Sequence, residues 1–125
     1  MLARMKRILI PAIVLVALTA PTARAHHSYA AFNREQTVSI EGDLVQVMFV
    51  NPHVVLTLRT RDEAVYRAEW QAAFQLQRGG VTVETLRPGD HVIVSGAPAR
   101  DEALRLVSLL TEVRRPSDGW QWRRQ

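Results

Sequence analysis

Two of the four histidines in this sequence are adjacent, at His26 and His27, and they directly follow the segment Ala23-Arg24-Ala25. If the mature chain begins at His26, its α-amine and its own imidazole nitrogen can chelate one metal ion together. His27 adds a second imidazole, and a deprotonated amide between the two residues suits Cu(II). Nitrogen ligands favour Cu(II) over Ni(II) or Zn(II), because Cu(II) heads the affinity order for divalent ions. The pair therefore predicts a metal site with copper as its cofactor, and with nickel or zinc as the alternatives.

A cleaved signal peptide is the condition on which this site depends. Three cations open the chain, an uncharged apolar run of 13 residues follows at positions 8–20, and Ala23 and Ala25 form a small-x-small cleavage pattern. The run is shorter than the roughly 20 residues that a membrane-spanning helix needs. We therefore expect cleavage after Ala25, a periplasmic protein, and no membrane span after cleavage.

A third ligand is predicted at His53, in the segment Asn51-Pro52-His53 between two strand-like runs. Pro52 cannot donate a ladder hydrogen bond, so the segment is expected to form a turn. In an OB-fold the loop between the first two strands borders the binding face, and an arm at 26–36 is long enough to fold back to it. The alternatives are a frayed, solvated terminus and an imidazole that satisfies backbone groups in the turn.

The elements that must position these residues are mostly strands. Apolar residues alternate with polar ones in five segments, and a stretch of helix formers ending at a glycine pair separates the third from the fourth. This order predicts a small OB-fold-like five-stranded barrel with one short helix between strands 3 and 4; a small open sheet with one packed helix is the alternative. The predicted strands are 37–50, with a bulge at Gly42-Asp43, then 54–60, 65–70, 91–96 and 103–113, and the predicted helix is 71–80.

The predicted domain organisation follows from these elements. It comprises a cleaved signal peptide at 1–25, an N-terminal His arm at 26–36, the barrel at 37–113 and a C-terminal tail at 114–125. Among the large side chains of the barrel region, three are expected in the core: Tyr66, Trp70 and Phe74. His91 is expected to face solvent, because it alternates with an inward-facing valine at the start of the fourth strand.

Composition excludes several classes of function. The chain has 16 Lys and Arg residues against 12 Asp and Glu. Four of those cations lie before position 26, so 12 arginines balance 12 acids in the mature chain. A neutral exported protein is a poor candidate for nucleic-acid binding, which draws most of its affinity from basic patches. Cysteine is absent, which rules out disulfides and thiolate metal sites.

Several short motifs, taken in order, resemble a known family. They are the start His26-His27-Ser28, the turn at 51–53, a tryptophan-containing strand before the helix, and the segment at 76–96. Together they resemble a family of small exported proteobacterial proteins of unknown function, and the likeness runs from His26 to about Val113. The resemblance implies a periplasmic location and a small β-barrel, and it implies no activity.

Two classes of function remain open, and an enzyme is not expected. The first is a metal-binding protein for buffering, delivery or sensing, with His26, His27 and His53 as ligands. The second is a non-catalytic OB-type module for a protein or saccharide partner. An oxidative copper enzyme would need a flat, extended substrate surface, which a mature chain of about 100 residues can hardly provide. The residues predicted to contact a partner are Asn51, Val55, Arg59 and Trp120.

Overall fold

The computed structural model describes residues 29–125, so the predicted signal peptide and the pair His26-His27 lie outside the described residues. One α-helix, α1, spans Ala73–Arg78, and two 3-10 turns lie at Tyr29–Ala31 and Glu102–Leu104. The strands are β1 (Val38–Met48), β2 (Val55–Arg59), β3 (Val65–Glu69), β4 (His91–Pro98), β5 (Leu106–Arg115) and β6 (Trp120–Arg123).

Five of the strands close into a barrel. The first half of β1 pairs antiparallel with β4 and its second half with β2. Antiparallel pairs also join β2 to β3 and β4 to β5. A parallel pairing of β3 with β5, at Arg67↔Leu106 and Ala68↔Val107, closes the ring. The predicted OB-like barrel, with a short helix between strands 3 and 4, is confirmed.

The barrel interior is filled by branched aliphatic side chains from β1, β2, β4 and β5 and by Ala68 from β3. The most deeply buried of the aliphatic side chains include Leu44, Leu56, Leu58, Val92, Val94, Val107, Leu110 and Val113. Leu76 of α1 and Trp70 join this core, as predicted for Trp70. The prediction for Phe74 is wrong, because α1 buries Ala73 and Leu76 and leaves Phe74 49% exposed on its outer side. Tyr66 is half-buried.

The bulge of β1 lies two residues beyond the predicted pair Gly42-Asp43. The pairing with β2 shifts between Leu44 and Gln46, so the extra residue is Val45, which is 40% exposed. The bulge predicted at Gly42-Asp43 is therefore wrong. Gly42 keeps the alternation instead, since it is buried on the same side as Leu44. A Cβ atom there would lie 2.5 Å from the Arg59 carbonyl oxygen, so the close approach of β1 and β2 requires glycine.

The C-terminal segment forms a strand where the sequence indicates a tail. β5 continues past Val113 to Arg115, and β6 returns antiparallel along it. Trp122 meets Trp70 edge to face, with ring centroids 5.1 Å apart. The Arg115 guanidinium lies 5.7 Å from the centroid of the Trp120 ring. Aromatic packing thus attaches β6 to the barrel at Trp70.

The described part of the N-terminal arm is attached to the outside of β4 and β5. Phe32 is buried there against a small apolar cluster that includes Ala97 and Ala99. Asn33 N donates to the Pro98 carbonyl at 2.8 Å, and Arg100 N donates to the Ala31 carbonyl at 2.9 Å. These contacts hold the arm against the barrel just after Tyr29, the first described residue. Within residues 29–125, no helix has the length and apolar character required to cross a bilayer.

Candidate metal centre

His53 is held at the mouth of the first turn by a backbone carbonyl. Trp70 N donates to the Val54 carbonyl, whereas Val54 N donates to the Gln71 carbonyl and not to the Trp70 carbonyl. This offset leaves the Trp70 carbonyl to accept from the imidazole, whose Nδ1 lies 3.2 Å away. Because a carbonyl only accepts, Nδ1 carries the hydrogen, and Nε2 of the neutral ring carries the lone pair. Metal-ligating histidines are oriented in the same manner, by a hydrogen bond from the other ring nitrogen.

The half-buried His53 lines a cavity of about 300 Å³ together with the first described residue of the arm, Tyr29. Other walls come from Gln75 of α1, Ser108 of β5 and Arg124 after β6. Tyr29 follows directly on His26-His27-Ser28 in the sequence. The structure therefore brings the beginning of the described chain to the cavity that contains the predicted third ligand.

Among the residues that the structure describes, no group of three or more His, Asp or Glu side chains is arranged to hold a metal ion. His53 is the member of the predicted ligand set that lies in the described range. His26 and His27 lie outside it, so the joint three-histidine site stays a prediction.

Asn51 attaches the turn to the helix. Its Oδ1 accepts from the backbone N of Phe74 at 3.2 Å, and the Val50 carbonyl accepts from Ala73 N at 3.3 Å. The side chain thus satisfies one of the N–H groups that the first turn of a helix leaves without an intrahelical partner. This contact positions the turn that carries His53, and the predicted partner contact of Asn51 stays a prediction.

The other residues predicted to contact a partner are separated. Val55 is half-buried and follows His53 at the beginning of β2. Arg59 ends that strand, roughly 13 Å further on by strand rise, and its guanidinium lies 3.7 Å from Glu63. Trp120 lies on β6 under Arg115. The structure therefore brings Asn51, His53 and Val55 together and places Arg59 and Trp120 away from that turn.

A second charged cluster surrounds His91 and was missed by sequence reasoning. His91 is exposed, as predicted, and its Nδ1 lies 2.7 Å from Asp43 and its Nε2 2.9 Å from Glu41. Carboxylates only accept, so two such bonds require both ring nitrogens to donate. The hydrogen bonds that His91 donates to Glu41 and Asp43 raise its pKa above the usual value. The available signal was two acids spaced by two residues on the outer face of β1.

The His91 cluster predicts a pH dependence of stability. Because the pKa is raised in the folded state, the stabilisation is complete below the unfolded pKa of about 6.5 and is lost as the pH rises through the folded value. Thermal melts of wild type and His91→Gln across this range measure it. The wild type should be more stable than the variant at the acidic end, with the difference shrinking toward alkaline pH. Parallel profiles for the two proteins would contradict the assignment.

Fold and site together define a small OB-like barrel with an attached N-terminal arm and a histidine-bearing first loop. The chain belongs to DUF6152, a family of unknown function, which matches residues 13–106. This confirms the resemblance to a small family without an assigned activity. The matched range contains His26, His27 and His53 and ends at the beginning of β5, before Trp120. The comparisons with curated proteins and with solved structures gave no match.

Proposed function

We propose that this protein is a periplasmic metal-binding protein that binds Cu(II), with Ni(II) or Zn(II) as the alternative metals. The ligands are the α-amine and imidazole of His26, the imidazole of His27 and Nε2 of His53. One observation carries the proposal: Tyr29 and His53 line the same cavity, and Tyr29 is the third residue after His26. The role is buffering, delivery or sensing of the metal, without catalysis.

Covalent reach supports this ligand set. The sequence separation between His26 and Tyr29 is three residue steps, which span at most roughly 11 Å and are short enough for ligands at the terminus to reach this cavity. A cavity of about 300 Å³ at Tyr29 has room for imidazole rings around one ion. The hydrogen bond from His53 Nδ1 to Trp70 orients the third ring in advance, which lowers the entropic cost of metal binding.

The chemistry of the donors sets the conditions for binding. Imidazole and amine nitrogens must be deprotonated to bind a metal ion, so affinity falls as the pH is lowered. Nitrogen ligation favours Cu(II) among the divalent ions.

A second candidate function, the docking of a protein partner, is favoured by exposed apolar side chains beside the same turn. Met48, Val50 and Phe74 are each more than two-fifths exposed, and Val50 contacts the beginning of α1 through its carbonyl. Such a patch is typical of an interaction surface. A partner that binds equally well in the presence of a metal chelator would favour this function over the first.

Replacement of His53 tests the proposed function. In a chain that begins at His26, His53→Ala should weaken Cu(II) binding roughly 10- to 100-fold, because it removes one imidazole donor. Competition titration against a chelator of known affinity measures the change, and thermal melts verify that the variant folds. His91→Ala is the matched control, since it also removes an accessible imidazole but lies on the Glu41–Asp43 cluster. Equal affinities for wild type and His53→Ala would refute the proposal.

A further inference from the structure

Within residues 29–125, the barrel is covered at one end and open at the other. At the end where β1 stops, α1 is bonded to the Val50 carbonyl and packs Leu76 into the core. At the end where β1, β3 and β5 begin, the inward-facing side chains of Val38, Ile40 and Tyr66 are only half-buried. They line a cavity of about 350 Å³. The apolar interior of the barrel thus reaches the surface here, in what we call the mouth cavity.

The rim of the mouth cavity is polar and comes from the arm and from the loop between β4 and β5. Its polar members are Asn33, Gln36, Arg100, Asp101, Glu102 and Arg105. Arg100 Nε donates to a backbone carbonyl of the arm at 2.9 Å, and Asp101 Oδ1 accepts from a backbone N–H of the following 3-10 turn at 3.0 Å. Glu102 and Arg105 are exposed, and within residues 29–125 neither makes an ion pair or a side-chain hydrogen bond. The rim therefore carries one unpaired anion and one unpaired cation.

Arg105 has a backbone conformation that arginine does not favour. It follows the 3-10 turn with φ of 46° and ψ of 49°, which is the left-handed region. Glycine or asparagine normally occupies such a position, because a larger side chain crowds the backbone there. Strained residues of this kind cluster at binding sites. A binding role of the guanidinium would explain why arginine occupies a position that suits glycine.

We propose that the mouth cavity binds an apolar α-amino acid. Its side chain enters the open end of the barrel, its carboxylate contacts Arg105 and its ammonium group contacts Glu102. A guanidinium can bind a carboxylate through two parallel hydrogen bonds. A simple anion would meet the like charge of Glu102 and a simple cation that of Arg105, whereas a zwitterion matches both.

The size and position of the mouth cavity agree with this ligand class. Its volume of about 350 Å³ is at the lower end of the roughly 300–1,000 Å³ of small-molecule sites, as expected for a single amino acid. The mouths of small barrels are among the places where such sites occur. The mouth cavity shares no lining residue with the cavity at His53, so this inference does not depend on the proposed metal site.

Isothermal titration calorimetry with L-leucine, on the chain that begins at His26, tests the inference. Three matched ligands each lack one contact: glycine lacks the apolar side chain, leucine amide the carboxylate and N-acetyl-leucine the ammonium group. Each should bind at least about tenfold more weakly than L-leucine, as expected for the loss of a charged hydrogen bond or of an apolar group. Absence of L-leucine binding, or equal binding of L-leucine and its amide, would overturn the inference.

Arg105→Gly separates binding from folding. Glycine removes the guanidinium and relieves the left-handed backbone, so the melting temperature should be kept or raised while L-leucine affinity falls about tenfold or more. Arg78→Gln, on α1 at the covered end, is the control for loss of a cation and should leave the affinity unchanged. Wild-type affinity in Arg105→Gly would contradict the assignment. A metal chelator should not change L-leucine binding, so a failure of the metal site and a failure of this site are measured separately.

Discussion

Gly42→Ala should lower the free energy of unfolding by about 3 kcal/mol, at the upper end of the cost of overpacking a core. The added Cβ would lie 2.5 Å from the Arg59 carbonyl oxygen, 2.9 Å from the Arg59 carbonyl carbon and 3.2 Å from Thr60 N. All three are backbone atoms, so no side-chain rotation relieves the contact. The strands β1 and β2 must separate at the point where β1 passes from β4 to β2. Chemical denaturation of wild type and variant measures the difference.

Gly79→Ala is the control for this prediction. Gly79 ends α1 with φ of −87°, and a Cβ there would meet the Leu76 carbonyl at an ordinary 3.5 Å. Alanine also restricts the unfolded chain, so stability should change by less than about 1 kcal/mol. If the two variants lost the same stability, the close approach at Gly42 would not explain the need for glycine.

The barrel could be predicted because the alternation of apolar and polar residues in the sequence indicates which strand residues are buried. In β2, Leu56 and Leu58 alternate with Thr57 and Arg59, and the structure buries the two leucines completely. The helix could be predicted because the period changes after Trp70 and a glycine pair follows. These signals are local, and each of them agrees with the fold.

The errors come from residues whose neighbours are distant in sequence. Gly42 has no side chain to show which face of β1 it occupies. The sequence pattern therefore places the shift in the apolar alternation at Gly42 and not at Val45. The six-residue α1 has too few turns to distinguish its outer face from its inner one, so the sequence does not show that Phe74 lies on the outer face. The four-residue strand β6 is stabilised by pairing with β5 and by the contact of Trp122 with Trp70. Trp70 is distant from β6 in the sequence.

In the candidate site, too, local patterns could be predicted and contacts between distant parts of the sequence could not. His53 was identified from its place after Pro52, a local pattern. The hydrogen bond to Trp70 that orients its ring depends on an offset in the pairing of two strands. Likewise, His91 and its two acids are separated by 48 and 50 residues.

Blocking the α-amine of His26 should have the largest effect on metal affinity. The amine and the imidazole of one residue form a chelate in which each donor holds the other close to the ion. Acetylation removes the amine lone pair and leaves the imidazole as a single donor, so Cu(II) affinity should fall roughly a hundredfold, as expected for the loss of one of two linked donors. The reaction can be directed to this group, because Lys6 is the sole lysine of the sequence and lies before the predicted cleavage point.

The most direct test is therefore a Cu(II) competition titration of the chain that begins at His26, before and after acetylation of its α-amine. Mass spectrometry verifies that a single group is modified, and thermal melts verify that the barrel is intact. Tight one-to-one binding that weakens by about two orders of magnitude on acetylation is the predicted result, and it would place the ion at the His26 terminus. Affinity that is equally weak in both samples, or equally strong, would contradict a metal site built on that terminus.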